Sequence, residues 1–251
     1  MRYPAACLIS LILLATPVRA ASYASAAQHP ASSPAPAPAA TSAAAPVASA
    51  GTKIVPVTAP VDVFNGKDMT GWSYIIDGKL EDITKVCTVK DGVMVCTGTP
   101  NGYIVLAEPR ANYQLHFEWR WPTSNPKNNG GALINISDGP LQEALWPVCF
   151  QAQLKTLSAG DFLMMSTAAC AEGAAGKTTV KQKASSEKPV GEWNAADIVV
   201  RGDTITYTVN GVLQNTATKC VPSSGKIGFQ IEGYPYEMRN LKLTPLPAAT
   251  P

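Results

Sequence analysis

Short runs of alternating apolar and polar residues cover most of this chain between residues 86 and 244, and they constrain its fold more than any other feature. Turn residues such as Asp-Gly and Asn-Gly separate the runs, and almost no segment repeats apolar residues at helical spacing. This pattern predicts an all-β chain folded as an antiparallel sandwich. The predicted strands are Val86–Val89, Val93–Thr97, Gly102–Ala107, Tyr113–Trp121, Gly131–Ile136, Cys149–Lys155, Asp161–Ser166, Asp197–Arg201, Thr204–Asn210, Val212–Ala217, Lys226–Ile231 and Met238–Thr244.

The stretch VCTVKDGVMVC carries a signal for a hairpin and for a disulfide. Asp91-Gly92 at its centre predicts a two-residue turn. Counting outward from that turn places Cys87 opposite Cys96, at a position without cross-strand hydrogen bonds. At such positions the Cα atoms approach within disulfide range. We therefore predict a Cys87–Cys96 disulfide.

The amino-terminal 60 residues differ in composition from the rest of the chain. Residues 1–20 resemble a secretory signal peptide, with a basic residue near the start, a short apolar run and Ala20 at the expected cleavage site. Residues 21–60 are rich in Ala, Pro and Ser, which predicts a disordered linker. The folded domain is expected at 61–247. The protein is expected to be exported, to the periplasm or the medium, without membrane insertion after signal removal.

Charge and cysteine counts limit the partners and the disulfides. The whole sequence has 20 basic residues, and removing a signal that contains Arg2 and Arg19 would leave 18 against 18 acidic residues. A formally neutral protein argues against nucleic acid as a partner. Five cysteines would remain, so at least one is unpaired in a monomer. Cys149–Cys170 is the weaker disulfide prediction, and reduced buried thiols are the alternative for every pair.

Three predicted strands carry an apolar row on one face and a polar row on the other, because side chains alternate along a strand. Such rows often face bulk water, but Gln, Arg and acidic groups also suit the hydroxyls of a sugar or glycoside ligand. Trp146 and Tyr234 are predicted loop aromatics that could stack on a sugar ring or pack at an edge. The polar rows are Gln114, His116, Glu118 and Arg120; Gln151 and Gln153; and Gln230 and Glu232.

The segment VFNGKDMTGW resembles the opening of the 3-keto-disaccharide hydrolase family, LFNGKDLxGW. Further matches follow in order, among them VKDGVMVCTG, YQLHFEWRWP, NNGGALI, WPVCFQAQLK and GKIGFQIEGYPYEMRNLKL. They cover essentially all of 61–247. The resemblance implies a concanavalin A-like lectin/glucanase jelly roll. It also implies eliminative 1,2-cleavage of a 3-keto-glucoside, or hydration of the resulting 3-keto-2-hydroxy-glucal.

That chemistry requires a base, an electrophile for an enolate oxygen and an acid for the leaving oxygen, because a C3 ketone acidifies the C2 hydrogen. Glu118 or Glu232 could act as the base and His116 could shuttle a proton. Arg120 could stabilise the enolate oxygen, helped by Gln153 or Gln230. Alternatively, Glu118 and Arg120 form a structural ion pair and His116 is an ordinary strand residue. A divalent metal is another possible electrophile, although no metal-ligand spacing is present and the sequence identifies no definite cofactor.

One position departs from the family pattern. The family usually has Glu-x-Gln where this chain has Gln151-Ala152-Gln153. An amide can bond a sugar hydroxyl but cannot act as a base. Three hypotheses follow: an exported enzyme that hydrolyses or eliminatively cleaves 3-keto glycosides, a non-catalytic carbohydrate-binding sandwich, and a structural or adhesive domain displayed on the linker.

Overall fold

The computed structural model describes residues 53–125, 127–173 and 177–246. These ranges contain sixteen β-strands and one short 3-10 helix, Ile83–Lys85, so the all-β prediction is confirmed. The predicted signal peptide and most of the predicted linker lie outside the described residues. The strands are β1 Val61–Asp62, β2 Trp72–Ile76, β3 Lys79–Glu81, β4 Cys87–Lys90, β5 Val93–Cys96, β6 Gly102–Leu106, β7 Tyr113–Arg120, β8 Gly131–Gln142, β9 Trp146–Gln153, β10 Phe162–Met165, β11 Thr178–Thr179, β12 Asn194–Arg201, β13 Thr204–Val209, β14 Val212–Ala217, β15 Lys226–Ile231 and β16 Tyr236–Pro245.

The strands form two antiparallel sheets that pack as a sandwich. Sheet A has the order β14-β13-β12-β7-β16-β5-β4, with β1 paired to β16. Sheet B has the order β11-β10-β9-β8-β15-β6-β2-β3. Many neighbours are distant in sequence: β7 lies between β12 and β16, and β15 lies between β8 and β6. Residues far apart in the chain therefore become neighbours on the outer faces.

The core lies between the sheets and is built from their apolar rows. Leu115, Phe117 and Trp119 of β7 are fully buried. Phe117 meets Phe229 of sheet B edge to face, with ring centroids 5.0 Å apart. Burying a side chain of this size contributes about 1.5–3 kcal/mol, and the ring contact adds about 0.5–1.5 kcal/mol. The apolar row of β7 is therefore committed to the core, and its polar row faces outward.

The predicted strands agree with the structure best where turn residues bound them. Val212–Ala217 and Lys226–Ile231 are confirmed to the residue. Prediction missed β1, β2, β3 and β11, which are short or lack clear alternation. It also ended β8 too early, because Asp138-Gly139-Pro140 has the composition of a turn but continues the strand.

The hairpin prediction is confirmed and the second disulfide prediction is wrong. Cys87 pairs with Cys96 across β4 and β5, and the two form a disulfide with a Cα–Cα distance of 4.3 Å. Cys149 and Cys170 are both thiols. Cys149 lies in an apolar cluster with Leu133, whereas Cys170 packs against the main core. The two side chains belong to different clusters, so they do not pair.

The VFNGKDMTGW segment is a turn with a buried aromatic residue near each end. Phe64 and Trp72 are buried, and the Trp72 indole donates to the Val63 carbonyl at 2.9 Å. Between them, the Asn65 side chain accepts from the backbone of Asp68. Just before this turn, Val55 donates its backbone N–H to the Pro109 carbonyl. Contacts with the domain thus reach further toward the amino terminus than the predicted boundary at residue 61.

Candidate functional site

The structure brings four of the predicted site residues together on the outer face of sheet B. Gln151 and Gln153 lie on β9, and Gln230 lies on β15, two strands away. Glu232 directly follows β15. With Asn129, which precedes β8, they form what we call the amide cluster.

A chain of side-chain hydrogen bonds links the amide cluster. Gln151 Nε2 donates to Gln230 Oε1 at 2.9 Å and, more weakly, to Gln153 Oε1 at 3.4 Å. Gln230 Nε2 then donates to Glu232 Oε2 at 2.6 Å, and Asn129 Nδ2 reaches the same oxygen at 2.5 Å. Gln151, Gln153 and Gln230 are 2, 6 and 3% exposed, whereas Asn129 and Glu232 are half-buried at the rim. Glu232 is thus the acidic residue of this cluster, and it is partly exposed to solvent.

One of the two carboxylate oxygens of Glu232 has no hydrogen-bond donor among the described residues. Both donors bind Oε2, and among the described residues none donates to Oε1. Burial raises the pKa of Glu232, and the charge of Glu143 raises it further, against the smaller opposing effects of Lys155 and Asn129. Asn129 Oδ1 is buried without a hydrogen-bond partner. The site therefore offers a carboxylate of raised basicity next to an unused amide acceptor.

Local backbone features hold the amides in position. Gly131 pairs with Gln153, and a Cβ added to Gly131 would lie 2.5 Å from Gln151 Cγ. The missing side chain at Gly131 therefore provides the space that the Gln151 side chain occupies. Tyr207 in sheet A donates its hydroxyl to the Gln153 carbonyl at 3.0 Å through the core. Gln153 Oε1 accepts from the backbone N–H of Leu154 at 3.0 Å, so its orientation is defined.

A groove of about 630 Å³ begins beside the amide cluster. None of the cluster residues lines it. The lining residue next to the cluster is Tyr103 of β6, which is directly opposite Gln230 of β15. The groove continues past Val105 to Ile136 and Lys226, with Gly228 opposite Val105. By strand geometry, Gln230 and Lys226 are about 13 Å apart, so the groove can hold a group larger than one sugar ring.

The remaining predicted polar residues lie on the outer face of sheet A. Glu118 is opposite Arg239 of β16, and Arg239 Nε donates to Glu118 Oε2 at 2.7 Å. Arg120 is opposite Glu237, with Nε 2.5 Å from Glu237 Oε2. Glu118 and Arg120 are thus each in an ion pair, but with β16 rather than with one another. The structure does not bring them to the amide cluster.

His116 also belongs to this face. Its Nδ1 is 2.9 Å from Asp197 Oδ1, which raises the pKa of His116. With Asp62, Asn240 and Lys242 it lines a small cavity of about 260 Å³. For Glu118, burial alone would raise the pKa, but hydrogen bonds from Asn240 and Arg239 and the charge of Arg239 outweigh it and lower the pKa. Both shifts favour the charged form of the group, as the surroundings of a structural ion pair do.

Sequence reasoning missed the residue that organises this face. Trp193 lies with the Cζ atoms of Arg239 and Arg120 at 4.1 and 4.6 Å from its ring. Such contacts are cation–π interactions. Nothing in the sequence near Trp193 indicates them, because both arginines come from strands distant in the chain.

The two predicted sugar-stacking aromatics have different positions. Trp146 begins β9 and is 3% exposed in an apolar cluster with Tyr103 and Cys149, so its placement in a loop is wrong and it packs rather than offering a ring to a sugar. Tyr234 is in a loop and half-buried against the main core. Among the described residues, no group of three or more His, Cys, Asp or Glu side chains is arranged to hold a metal ion. No helix in the described part is long and apolar enough to span a membrane.

Comparison with known proteins gives both a family and a fold. The model of the 3-keto-alpha-glucoside-1,2-lyase-like domain matches residues 59–244. A candidate glycosyl hydrolase from Parabacteroides distasonis is 23% identical, with a TM-score of 0.57, and the match covers 75% of this chain and 94% of that one. Bacillus licheniformis β-glucanase is 12% identical, with a TM-score of 0.52 over 74% of this chain and 97% of that one. No curated protein matches the sequence.

Proposed function

Because the chain belongs to the 3-keto-alpha-glucoside-1,2-lyase-like family, as its motifs predicted, we propose that it cleaves 3-keto glycosides by elimination or hydrolysis. The reaction takes place on the outer face of sheet B. Glu232 is the base, and the buried amides Gln151, Gln153 and Gln230 position it. The groove beside Tyr103 holds the part of the substrate beyond the reacting ring.

The observation that carries this proposal is the state of Glu232. Its Oε2 is held by two neutral donors, and its Oε1 has none among the described residues. Because burial raises its pKa, the ionised carboxylate is a stronger base than an exposed one. A base with a pKa closer to the working pH transfers protons more effectively. Of the two predicted bases, only Glu232 combines these properties, since Glu118 is held by Arg239.

Elimination begins at the C2 hydrogen of the 3-keto sugar. Glu232 Oε1 takes the C2 hydrogen as a proton, and the electrons of the C–H bond move toward the C3 ketone to form an enolate. The enolate re-forms the ketone with a C1–C2 double bond, and the C1–O bond breaks. The proton on Glu232 is then available to the departing oxygen. The products are a 3-keto-2-hydroxy-glucal and the free aglycone.

The enolate oxygen needs a positive or hydrogen-bonding group. Arg120 was predicted for this role but lies on the other sheet. Lys155 is the cation whose charge acts on Glu232, and it lies two residues after Gln153, the last residue of β9. We assign the role to Lys155. Asn129 Oδ1, buried and unpaired, would accept a hydrogen bond from a sugar hydroxyl.

A second function is favoured by one residue. Gln151 occupies the position where the family usually has a carboxylate, and its amide is bonded to Gln230. If turnover requires that carboxylate, the same face would bind a sugar without cleaving it. The site would then be a carbohydrate-binding surface.

An assay of the purified full chain separates the two functions. A 3-keto-glucoside and the matching unoxidised glucoside are offered in parallel, each with a divalent metal or with a chelator. We expect cleavage of the keto sugar alone. Binding of the keto sugar without cleavage would favour the second function. Neither binding nor cleavage of any sugar would contradict both.

Export is part of the proposal. The Cys87–Cys96 disulfide is compatible with an oxidising compartment. Fractionation of cells that express the full chain would test it. We expect protein shortened by about twenty residues in the periplasm or the medium. Full-length protein confined to the cytoplasm would contradict export.

A further inference from the structure

Two of the three thiols in the described part of the chain lie on adjacent stretches of backbone. Cys170 follows β10, and Cys220 lies between β14 and β15. We propose that Cys170 and Cys220 are the site of a second disulfide, formed when the exported chain folds in an oxidising compartment. Cys149 then remains as the one thiol among the described residues.

The backbone hydrogen bonds establish the register of these two stretches. Ala169 and Val221 form an isolated antiparallel bridge in which each N–H donates to the other carbonyl, at 2.9 and 2.8 Å. One residue further along each chain, Cys170 is therefore opposite Cys220. Their own N–H groups point elsewhere, to the carbonyls of Gly173 and Asp203. The pair thus occupies a non-hydrogen-bonded position, where opposing Cα atoms are about 4.5 Å apart.

The Cys87–Cys96 disulfide provides an internal reference for this geometry. Those two cysteines are also directly opposite in an antiparallel pair, one position from a bond in which Thr97 N–H donates to the Val86 carbonyl. Their Cα atoms are 4.3 Å apart, and they are bonded. A second pair in the same relationship meets the same requirement.

The two side chains also lie on the same side of the backbone. Cys220 belongs to the main core and is 2% exposed, and Cys170 packs against that core. A charge on Cys170 would raise the pKa of Cys220, as it would for a neighbouring thiol. Neither cysteine shares a cluster with Cys149, which lies with Leu133 on the other side of sheet B. The pairing is therefore specific among the three.

The oxidation is a thiol–disulfide exchange with a disulfide oxidant, either a small-molecule disulfide or a disulfide-donating protein. The two thiols lose two protons and two electrons and form one S–S bond, and the oxidant is reduced to two thiols. Burial raises the pKa of Cys220 to about 12 and also raises that of Cys170. Since the thiolate is the reacting form, exchange is slow in the folded protein and should occur while the chain folds.

The bond would join the ends of the two sheets. Cys170 follows β10, whose Leu163 is opposite Gln151 of the amide cluster, and Cys220 follows β14 of sheet A. The two cysteines are 50 positions apart, against 9 for the first disulfide. A longer closed loop restricts the unfolded chain more. The second disulfide should therefore stabilise the domain more than the first.

Peptide mapping tests the proposal. The full chain is refolded from the reduced state with oxidised and reduced glutathione, alkylated under denaturing conditions, and digested with trypsin without reduction. Cys170 is in tryptic peptide 156–177, Cys220 in 220–226 and Cys149 in 128–155. We expect 156–177 linked to 220–226, with 128–155 alkylated. The link between 86–90 and 91–110 reports Cys87–Cys96 and is the positive control.

Two outcomes of the peptide mapping would overturn the proposal. Recovery of 156–177 and 220–226 as separate alkylated peptides, from a sample in which 86–90 and 91–110 are linked, would overturn the proposal. Linkage of either peptide to 128–155 would overturn it as well.

Melting temperatures provide a second readout. Cys170→Ala is expected to lower the Tm of the oxidised protein by about 10 °C. Adding Cys220→Ala should then lower the Tm little further, because the disulfide is already absent in Cys170→Ala. Under reducing conditions the Cys170→Ala effect should largely vanish. Cys149→Ala is the control, since its effect should be the same in both conditions. Equal Cys170→Ala effects with and without reductant would contradict the proposal.

Discussion

The carboxylates on the two outer faces of the sandwich have different hydrogen-bond and charge partners. On sheet A, Glu118 faces Arg239, and Glu237 faces Arg120. On sheet B, Glu232 faces only the amides of Gln230 and Asn129, and none of the described cations forms an ion pair with it. Pairing with Arg239 lowers the pKa of Glu118, which makes it a weaker base. A carboxylate that is half-buried among amides keeps its basicity, and that difference is why we place the chemistry on sheet B.

The largest effect should separate the two faces by activity. Glu232→Gln removes the base and is expected to lower kcat/KM on a 3-keto-glucoside by about 100-fold or more. Glu118→Gln, the matched change on sheet A, should stay within about threefold, because Glu118 lies on the face without chemistry and its surface ion pair with Arg239 contributes at most about 1 kcal/mol to stability. Steady-state kinetics on both variants, with circular dichroism to confirm folding, checks this. A larger loss in Glu118→Gln would reverse the assignment of faces.

The next effect concerns the stability of the amide cluster. In Gln151→Glu the donor Nε2 becomes an oxygen that faces Gln230 Oε1 and Gln153 Oε1. Flipping the Gln230 amide would only move the conflict to Glu232. We expect a loss of about 1–3 kcal/mol in the free energy of unfolding. Gln114→Glu, which loses a half-buried bond to Asp197, should cost less. Urea unfolding compares the two, and equal losses would mean that the cluster is not under this constraint.

A smaller effect is expected on sheet A from Trp193. Trp193→Ala removes the ring that Arg120 and Arg239 contact, and should reduce the free energy of unfolding by about 1–2 kcal/mol. Activity should not change, because the face carries no chemistry in this account. Trp193→Phe, which keeps an aromatic ring, should recover part of the loss. A fall in kcat with unchanged stability would place the substrate on sheet A instead.

The smallest expected effect is a pH dependence of stability that has opposite signs for Glu232 and Glu118. The pKa of Glu232 is raised, so its contribution to stability is present below the ordinary Glu range and is lost as pH rises through the raised pKa. The pKa of Glu118 is lowered, so its contribution is present above the ordinary range and is lost as pH falls. Tm profiles of Glu232→Gln and Glu118→Gln, each compared with the native protein, should therefore diverge in opposite directions. Parallel profiles would contradict the contrast between the faces.

Local features of the fold were predictable from the sequence, and long-range pairings were not. The Cys87–Cys96 disulfide follows from an Asp-Gly turn four residues from each cysteine, so counting along the chain is sufficient. Assignment of a strand to a sheet is different. The alternation in β7 and in β9 is equally clear, yet β7 pairs with β12 and β16 while β9 pairs with β8 and β10. Alternation shows that a strand has two faces, but not which sheet contains it.

The same limit explains the outcome for the site. Gln151, Gln153, Gln230 and Glu232 were chosen for their residue types, and they meet because β9, β8 and β15 are neighbours. His116, Glu118 and Arg120 were chosen by the same reasoning and belong to the other sheet. Trp146 was misplaced because Gln-Glu-Ala before it resembles a loop, although β9 begins at the tryptophan itself. Cys170 and Cys220 also needed a long-range bridge, between Ala169 and Val221, to be recognised as neighbours.

The proposed function depends on removal of the C2 hydrogen of a 3-keto sugar by Glu232. Proton transfer can be followed without cleavage in a 3-keto-1,5-anhydroglucitol, which has no aglycone at C1, by NMR of the replacement of its C2 hydrogen by deuterium in D2O. Exchange should be faster than in buffer with the native protein and with Glu118→Gln, and should occur at the buffer rate with Glu232→Gln. Native-like exchange in Glu232→Gln, or no acceleration by the native protein, would contradict it.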